Sequence, residues 1–87
     1  MTKPILWNEL KSRRLKLTRG VSFEEILQGE LIGIRKSPVH PGQKVYFIHY
    51  KNYIWVVPFV ESGANIFLKT LYPSRKYTKI YHEEGTL

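Results

Sequence analysis

The sequence predicts an α+β fold, with two N-terminal helices and a short C-terminal helix packed on a four-stranded antiparallel sheet. Three features predict it. Ser22-Phe-Glu-Glu25 is a capping box that opens an early helix. Two runs rich in β-branched and aromatic residues flank the tight pair Lys51-Asn52, as in a hairpin. Near the C-terminus, Tyr77, Ile80 and Tyr81 fall at i, i+3 and i+4 after Pro73, the spacing of a short amphipathic helix.

The elements follow in order. The first helix is expected from about Asn8 to Arg19. Asn8 can accept amides of the first turn, Glu9 suits the positive helix end, and Gly20 can close the helix behind Lys16 and Arg19. Its apolar spacing is irregular: Leu6, Leu10 and Leu17 define one stripe, Trp7 and Leu15 lean to the side, and Arg14 falls inside it. The second helix should run from Phe23 to Gln28, stop at Gly29, and bury Phe23, Ile26 and Leu27. Strands are expected over Leu31–Lys36, Lys44–Tyr50, Tyr53–Val60 and Ile66–Tyr72, separated by a loop at Ser37–Gln43 and a turn at Glu61–Asn65.

A two-residue turn pairs Ile48 with Trp55 and Tyr46 with Val57 on one face. It gives Val45, Phe47, Ile54, Val56 and Pro58 to the other. Both faces are apolar, so the ribbon is covered on both sides or offers one side as a binding platform. Pro58 lacks an N–H and marks a bulge or an edge. The last helix starts at Pro73, and the residues after His82 form a frayed tail.

Eighty-seven residues support one domain, 1–87, with an ordered core of about 5–82. There is no cysteine, which removes disulfides and thiolate metal sites and fits a reducing cytoplasm. The N-terminal residues lack the apolar stretch of a signal peptide, and no apolar run reaches the roughly 18 residues of a membrane span. Charge is the informative quantity. Fourteen Lys and Arg stand against seven acidic residues, all Glu, for a net charge of +7. Such a field attracts phosphates by releasing their counterions. The excess lies in three blocks, residues 1–20, 35–51 and 69–79, and a fold that joined them would make one cationic face.

Catalytic motifs are sparse. No phosphate-binding glycine loop, zinc-protease motif or nucleophile elbow is present, and His40, His49 and His82 are isolated, so no metal or other cofactor is expected. His49 within a strand reads as structural, whereas His40 stands in a Pro-flanked loop of the kind that carries function. The Glu residues fall at helix starts, turns and the tail, so a carboxylate cluster for a Mg²⁺ nuclease is not visible. RNA cleavage without metal needs a base for the ribose 2′-OH, cations for the phosphorane, and an acid for the leaving 5′-oxygen. Lys69, Arg75, Lys76 and Lys79 with Tyr77 or Tyr81 have that chemistry. Basic helices that only bind are commoner than those that cleave, so the residues alone favour binding.

Together, Ile5-Leu-Trp7, Lys11, Arg19-Gly-Val-Ser-Phe-Glu-Glu25, His40-Pro-Gly-Gln43, Val57-Pro-Phe-Val-Glu61 and Phe67-Leu-Lys-Thr-Leu-Tyr-Pro-Ser-Arg-Lys-Tyr-Thr-Lys79 resemble a BrnT-like toxin of the RelE superfamily. The resemblance implies a RelE/BrnT-like fold and a metal-independent endoribonuclease that acts on mRNA, free or ribosome-bound. It also implies a cognate antitoxin with which the chain forms a hetero-oligomer. Arg75-Lys76-x-Thr78 matches the family's basic motif, Lys69 the basic position before it, and Lys11 and Arg19 the helical ones. Asn8 stands where Asp is usual and Ser12 where Asn is frequent, changes that fit capping or a local hydrogen bond. The expected catalytic set is therefore Lys69, Arg75, Lys76 and His40, with Lys69 and His40 both open as the base. Lys11, Arg19, Lys44, Lys79 and Tyr81 are expected to bind RNA. Two other readings remain: a non-catalytic module binding RNA or protein through the same face, and a gyrase-directed toxin.

Overall fold

The computed structural model describes residues 3–37 and 39–87; Met1, Thr2 and the Pro38 position of the expected loop lie outside them. At its centre is the hairpin of β3 (Gln43–Tyr50) and β4 (Tyr53–Ser62). Lys51 and Asn52 take φ of 50° and 63°, so both turn residues are left-handed, as a two-residue turn with the native strand twist requires. The register places Ile48 opposite Trp55 and Tyr46 opposite Val57, as the spacing predicts.

Among the described residues the sheet has six strands, not four. β2 (Glu30–Lys36) pairs with β3 on one side, antiparallel, through a bulge between Leu31 and Gly33. On the other side β4 pairs with β5 (Asn65–Leu68) and, further along, with β6 (Tyr72–Pro73). Two-residue β1 (Ile5–Leu6) adds to β5 in parallel and gives the order β1-β5-β4-β3-β2. The expected strand Ile66–Tyr72 is thus broken, and Lys69, Thr70 and Leu71 connect its halves.

The break has two causes. Leu68 and Leu71 are both fully buried in one core, yet three residues apart in an extended strand they would face opposite ways. Only an irregular connection brings both inward. The second cause is Pro58 on β4, whose carbonyl accepts from the Lys69 N–H at 2.8 Å but which has no N–H to return. The proline interrupts its neighbour rather than its own strand, which continues to Ser62.

Helices cover both faces. α1 (Glu9–Arg19), α2 (Phe23–Ile26) and the link between them lay Leu15, Val21, Phe23 and Ile26 against Tyr46, Ile48, Trp55, Val57 and Phe59. Tyr46 and Phe59 stack with centroids 4.0 Å apart. α3 (Arg75–Glu84) lies on the other face, where Tyr77 and Tyr81 pack on Phe47, Ile54 and Val56. It starts two residues after Pro73, with Ser74 as N-cap, and runs through the residues expected to fray, ending on left-handed Gly85.

The stripe expected on α1 is not the buried one. Leu10 and Leu17 are 71% and 87% exposed, while Ser12 and Leu15 point inward. The Ser12 Oγ accepts from the buried Phe23 N–H at 3.0 Å, so a small polar residue lets α2 approach and satisfies its first amide. The caps hold as predicted: Asn8 accepts from Lys11 N–H, and Ser22 and Glu25 form the reciprocal box. α2 is shorter than expected, ending at Ile26.

Gly29 follows α2 where a methyl group would lie 2.6 Å from Ile48 Cγ2 and 2.8 Å from the His49 carbonyl. The backbone of β3 cannot yield cheaply, so Gly29→Ala should cost about 1–3 kcal/mol through overpacking. Chemical denaturation of the purified variant measures this; unchanged stability would mean that the α2–β3 contact yields to a methyl group.

Candidate functional site

α3 is too short to cover its whole face of the sheet. Beside it lies a cleft of about 390 Å³ whose lining includes Val45, Phe47, Val56 and Pro58 from the hairpin, and Tyr77 from α3. Ser37, Val39, His40 and Gln43 border it from the β2–β3 loop, and Thr70 and Tyr72 from the broken strand. The lining contains no carboxylate. Two cations stand at its aromatic groups: the Arg35 guanidinium lies 5.4 Å from the Phe47 ring centre, and the Lys76 ammonium 5.5 Å from that of Tyr77. At such distances a cation is held by the ring face.

α3 is fixed over this face by its least conspicuous residue. Thr78 Oγ1 accepts from the Ile54 N–H at 2.8 Å and donates to the Ser74 carbonyl at 2.6 Å, and the Ser74 N–H donates to the Ile54 carbonyl at 2.9 Å. Within Arg75-Lys76-x-Thr78 the threonine is therefore buried and anchors the helix, while Arg75 and Lys76 are exposed.

The expected site residues do not gather in one place. His40 lines the cleft, and Lys76 stands over one of its walls. Arg75 and Lys79 are exposed on α3. Lys69 is not on a strand: it follows β5 and lines a groove on the α1 side with Asn8, Leu10, Lys11 and Arg14. That groove, also of about 390 Å³, contains three cations and no acid. The single cationic face expected from the charge blocks is split between the two helical layers.

Three expected RNA-binding residues are engaged within the protein. The Arg19 guanidinium donates to the Leu71 carbonyl and pins the broken strand to α1. Lys44 and Lys3 each lie 2.7 Å from a Glu61 oxygen. Tyr81 is half-buried, its ring 5.1 Å from that of His49, so His49 takes part in packing. Arg35, absent from the expected set, stands over the ring of Phe47, which lines the cleft. Arg35 pairs opposite Val45 and so shares the face of Phe47, a register across the β2–β3 loop that the sequence did not supply.

Among the described residues no three His, Cys, Asp or Glu side chains stand close enough to hold a metal ion, and no helix is long and apolar enough to cross a membrane. Lys3 and Lys44 hold the Glu61 carboxyl down from 4.5 to about 2. Lys16, followed by the Ser22 N–H, lowers that of Glu25, and a shared hydrogen bond with Glu9 raises that of Glu24.

No family model and no curated protein matches the chain. Among solved structures, the crystal structure of the Brucella abortus ribonuclease toxin BrnT is similar, with a TM-score of 0.57 and 18% identity over 84% of this chain and 97% of that one. The two share a fold.

Two outcomes follow. Thr78→Val removes the acceptor for a buried N–H and should cost about 1–3 kcal/mol, measured by denaturation, with faster amide exchange along α3. Glu61 binds its proton more weakly folded than unfolded, so its stabilising effect is complete above pH 4.5 and fades as pH falls towards about 2. The difference in Tm between wild type and Glu61→Gln should shrink across that window; a constant difference would exclude the ion pairs as its source.

Proposed function

We propose that the chain is the toxin of a type II toxin–antitoxin pair. In this reading it is a metal-independent endoribonuclease of the RelE superfamily that cleaves mRNA and arrests translation in the cytoplasm. The observation that carries the reading is the acid-free cleft beside α3, where His40, two tyrosines and the cations Arg35 and Lys76 surround an aromatic and aliphatic floor. The likeness in fold to the BrnT ribonuclease toxin supports it.

Cleavage here has three parts. His40 takes the proton of the ribose 2′-OH as its oxygen attacks phosphorus. Arg75 and Lys76 neutralise the charge that builds on the phosphorane. The bond to the 5′-oxygen breaks, that oxygen gains a proton from a cleft tyrosine, and a 2′,3′-cyclic phosphate remains. Tyr72, which is exposed, and half-buried Tyr77 line the cleft and offer ring surface against which single-stranded bases can stack. Lys69, the alternative base, stands in the α1 groove, so its role is to grip phosphate together with Lys11. That groove favours a second reading, a module that binds RNA without cutting it.

Arg75→Ala combined with Lys76→Ala should reduce cleavage of a single-stranded RNA by roughly 10²-fold or more, and His40→Gln by a similar factor. Both variants should keep the wild-type fold by circular dichroism and lose growth arrest on expression. Retained toxicity in a folded Arg75/Lys76 variant would remove the assignment. RNA retention by the wild type without any cleavage would establish the binding module instead.

A further inference from the structure

β2 is the last strand of the sheet and bonds only to β3. Backbone groups along an antiparallel strand face its two neighbours alternately. The two-residue turn makes Tyr50 and Tyr53 a bonded pair, which commits Tyr50, Ile48 and Tyr46 to β4 and leaves His49, Phe47 and Val45 for β2. The Ser37 N–H bonding to the Gln43 carbonyl at 2.8 Å continues that alternation. On β2, Gly33 and Arg35 stand opposite Phe47 and Val45 and bond to β3, so Ile34 and Lys36 turn their N–H and C=O outward. Among the described residues no strand lies beyond them.

The side chains add to this. Leu31 and Ile34, opposite Ile48 and Tyr46, sit on the sheet face that carries α1 and α2, yet are 52% and 53% exposed. Arg35 lies on the other face, over the Phe47 ring. An open edge with two bare aliphatics pairs readily with another chain. A second copy is disfavoured, since each copy carries +7 and brings its own Arg35 and Lys36 to the junction. The same charges attract an acidic strand.

We infer that β2 is a docking edge for an extended acidic segment of a partner protein, which adds as a further strand. Its aliphatic side chains lie over Leu31 and Ile34 and its carboxylates, on alternate positions, beside Arg35. Because Arg35 stands over the Phe47 ring of the cleft, an occupant also draws its guanidinium away from that ring. The docking stands apart from the cleft's chemistry; only this consequence rests on the ribonuclease reading.

The test uses the isotope-labelled full chain and a blocked octapeptide of alternating valine and glutamate, followed by amide exchange. Protection should appear at Ile34 and Lys36. Ile34→Pro removes an outward donor while leaving the β3 ladder whole, and should weaken binding by roughly tenfold in a folded protein. In Arg35→Glu the preference should turn to the peptide with lysine in place of glutamate. Protection on α3 or in the cleft would overturn the inference. So would equal affinity for the two peptides in the wild type, or concentration-dependent dimerisation abolished by Ile34→Pro. RNA cleavage is read separately, so loss of activity with docking intact would count against the ribonuclease reading alone.

Discussion

A hairpin that is apolar on both faces cannot end at one layer of helix. β3 and β4 present Tyr46, Ile48, Trp55 and Val57 to one side and Phe47, Ile54 and Val56 to the other. Each set loses stabilisation of about 25 cal/mol for every Å² left in water. The first set receives α1 and α2. The second receives α3, whose ten residues cannot span the hairpin. Where α3 stops, Val45 and Pro58 become the floor of a cleft. On that face the hairpin is covered in part by α3 and open in part at the cleft.

The position of α3 depends on how the chain arrives there. With no N–H on Pro58, β4 cannot hold a continuous partner, and the segment from Lys69 to Leu71 leaves the ladder. Leu71 then enters the core beneath α1, with its carbonyl taken by Arg19, while Thr70 and Tyr72 come to the cleft on the opposite face. Ser74 caps α3 directly afterwards and bonds to Ile54, the residue that Thr78 also holds. One missing donor thus shapes the connection that supplies both the cleft wall and the helix start.

What was legible in the sequence was local. The caps at Asn8 and Ser22 and the register across Lys51-Asn52 depend on groups within a few residues, and each is found as predicted. Non-local pairings misled. Leu6, Leu10 and Leu17 line up as one stripe of an irregular pattern, but the partner that α1 needs is an amide on α2, and Ser12 supplies the acceptor. β1 has two residues and exists only because β5 offers an edge. The run Lys69–Lys79 reads as one basic block, yet the break at Leu71 sends Lys69 to the α1 groove and Arg75 to α3. Spacing carries no information about such a reversal. The cleft itself is half legible, since alternation across the hairpin assigns Val45, Phe47, Val56 and Pro58 to one face, but nothing local says how far α3 covers it.

Placement of the carboxylates, more than the number of cations, gives the surface its character. Glu61 draws in Lys3 and Lys44, and Glu25 draws in Lys16, at separations of 2.7–2.8 Å. These exposed pairs add little to stability. Their effect is to neutralise lysines away from the cleft and the α1 groove, leaving both linings without an acid. A like-charged cluster with no counter-ion destabilises the folded chain on its own and is relieved by a bound polyanion, so the arrangement favours binding over stability. The cations at the cleft are instead set against aromatic rings, which hold a positive charge without neutralising it. An anion approaching that face meets charge that no carboxylate has neutralised, and that is what separates the cleft from the lysines paired with Glu61 and Glu25.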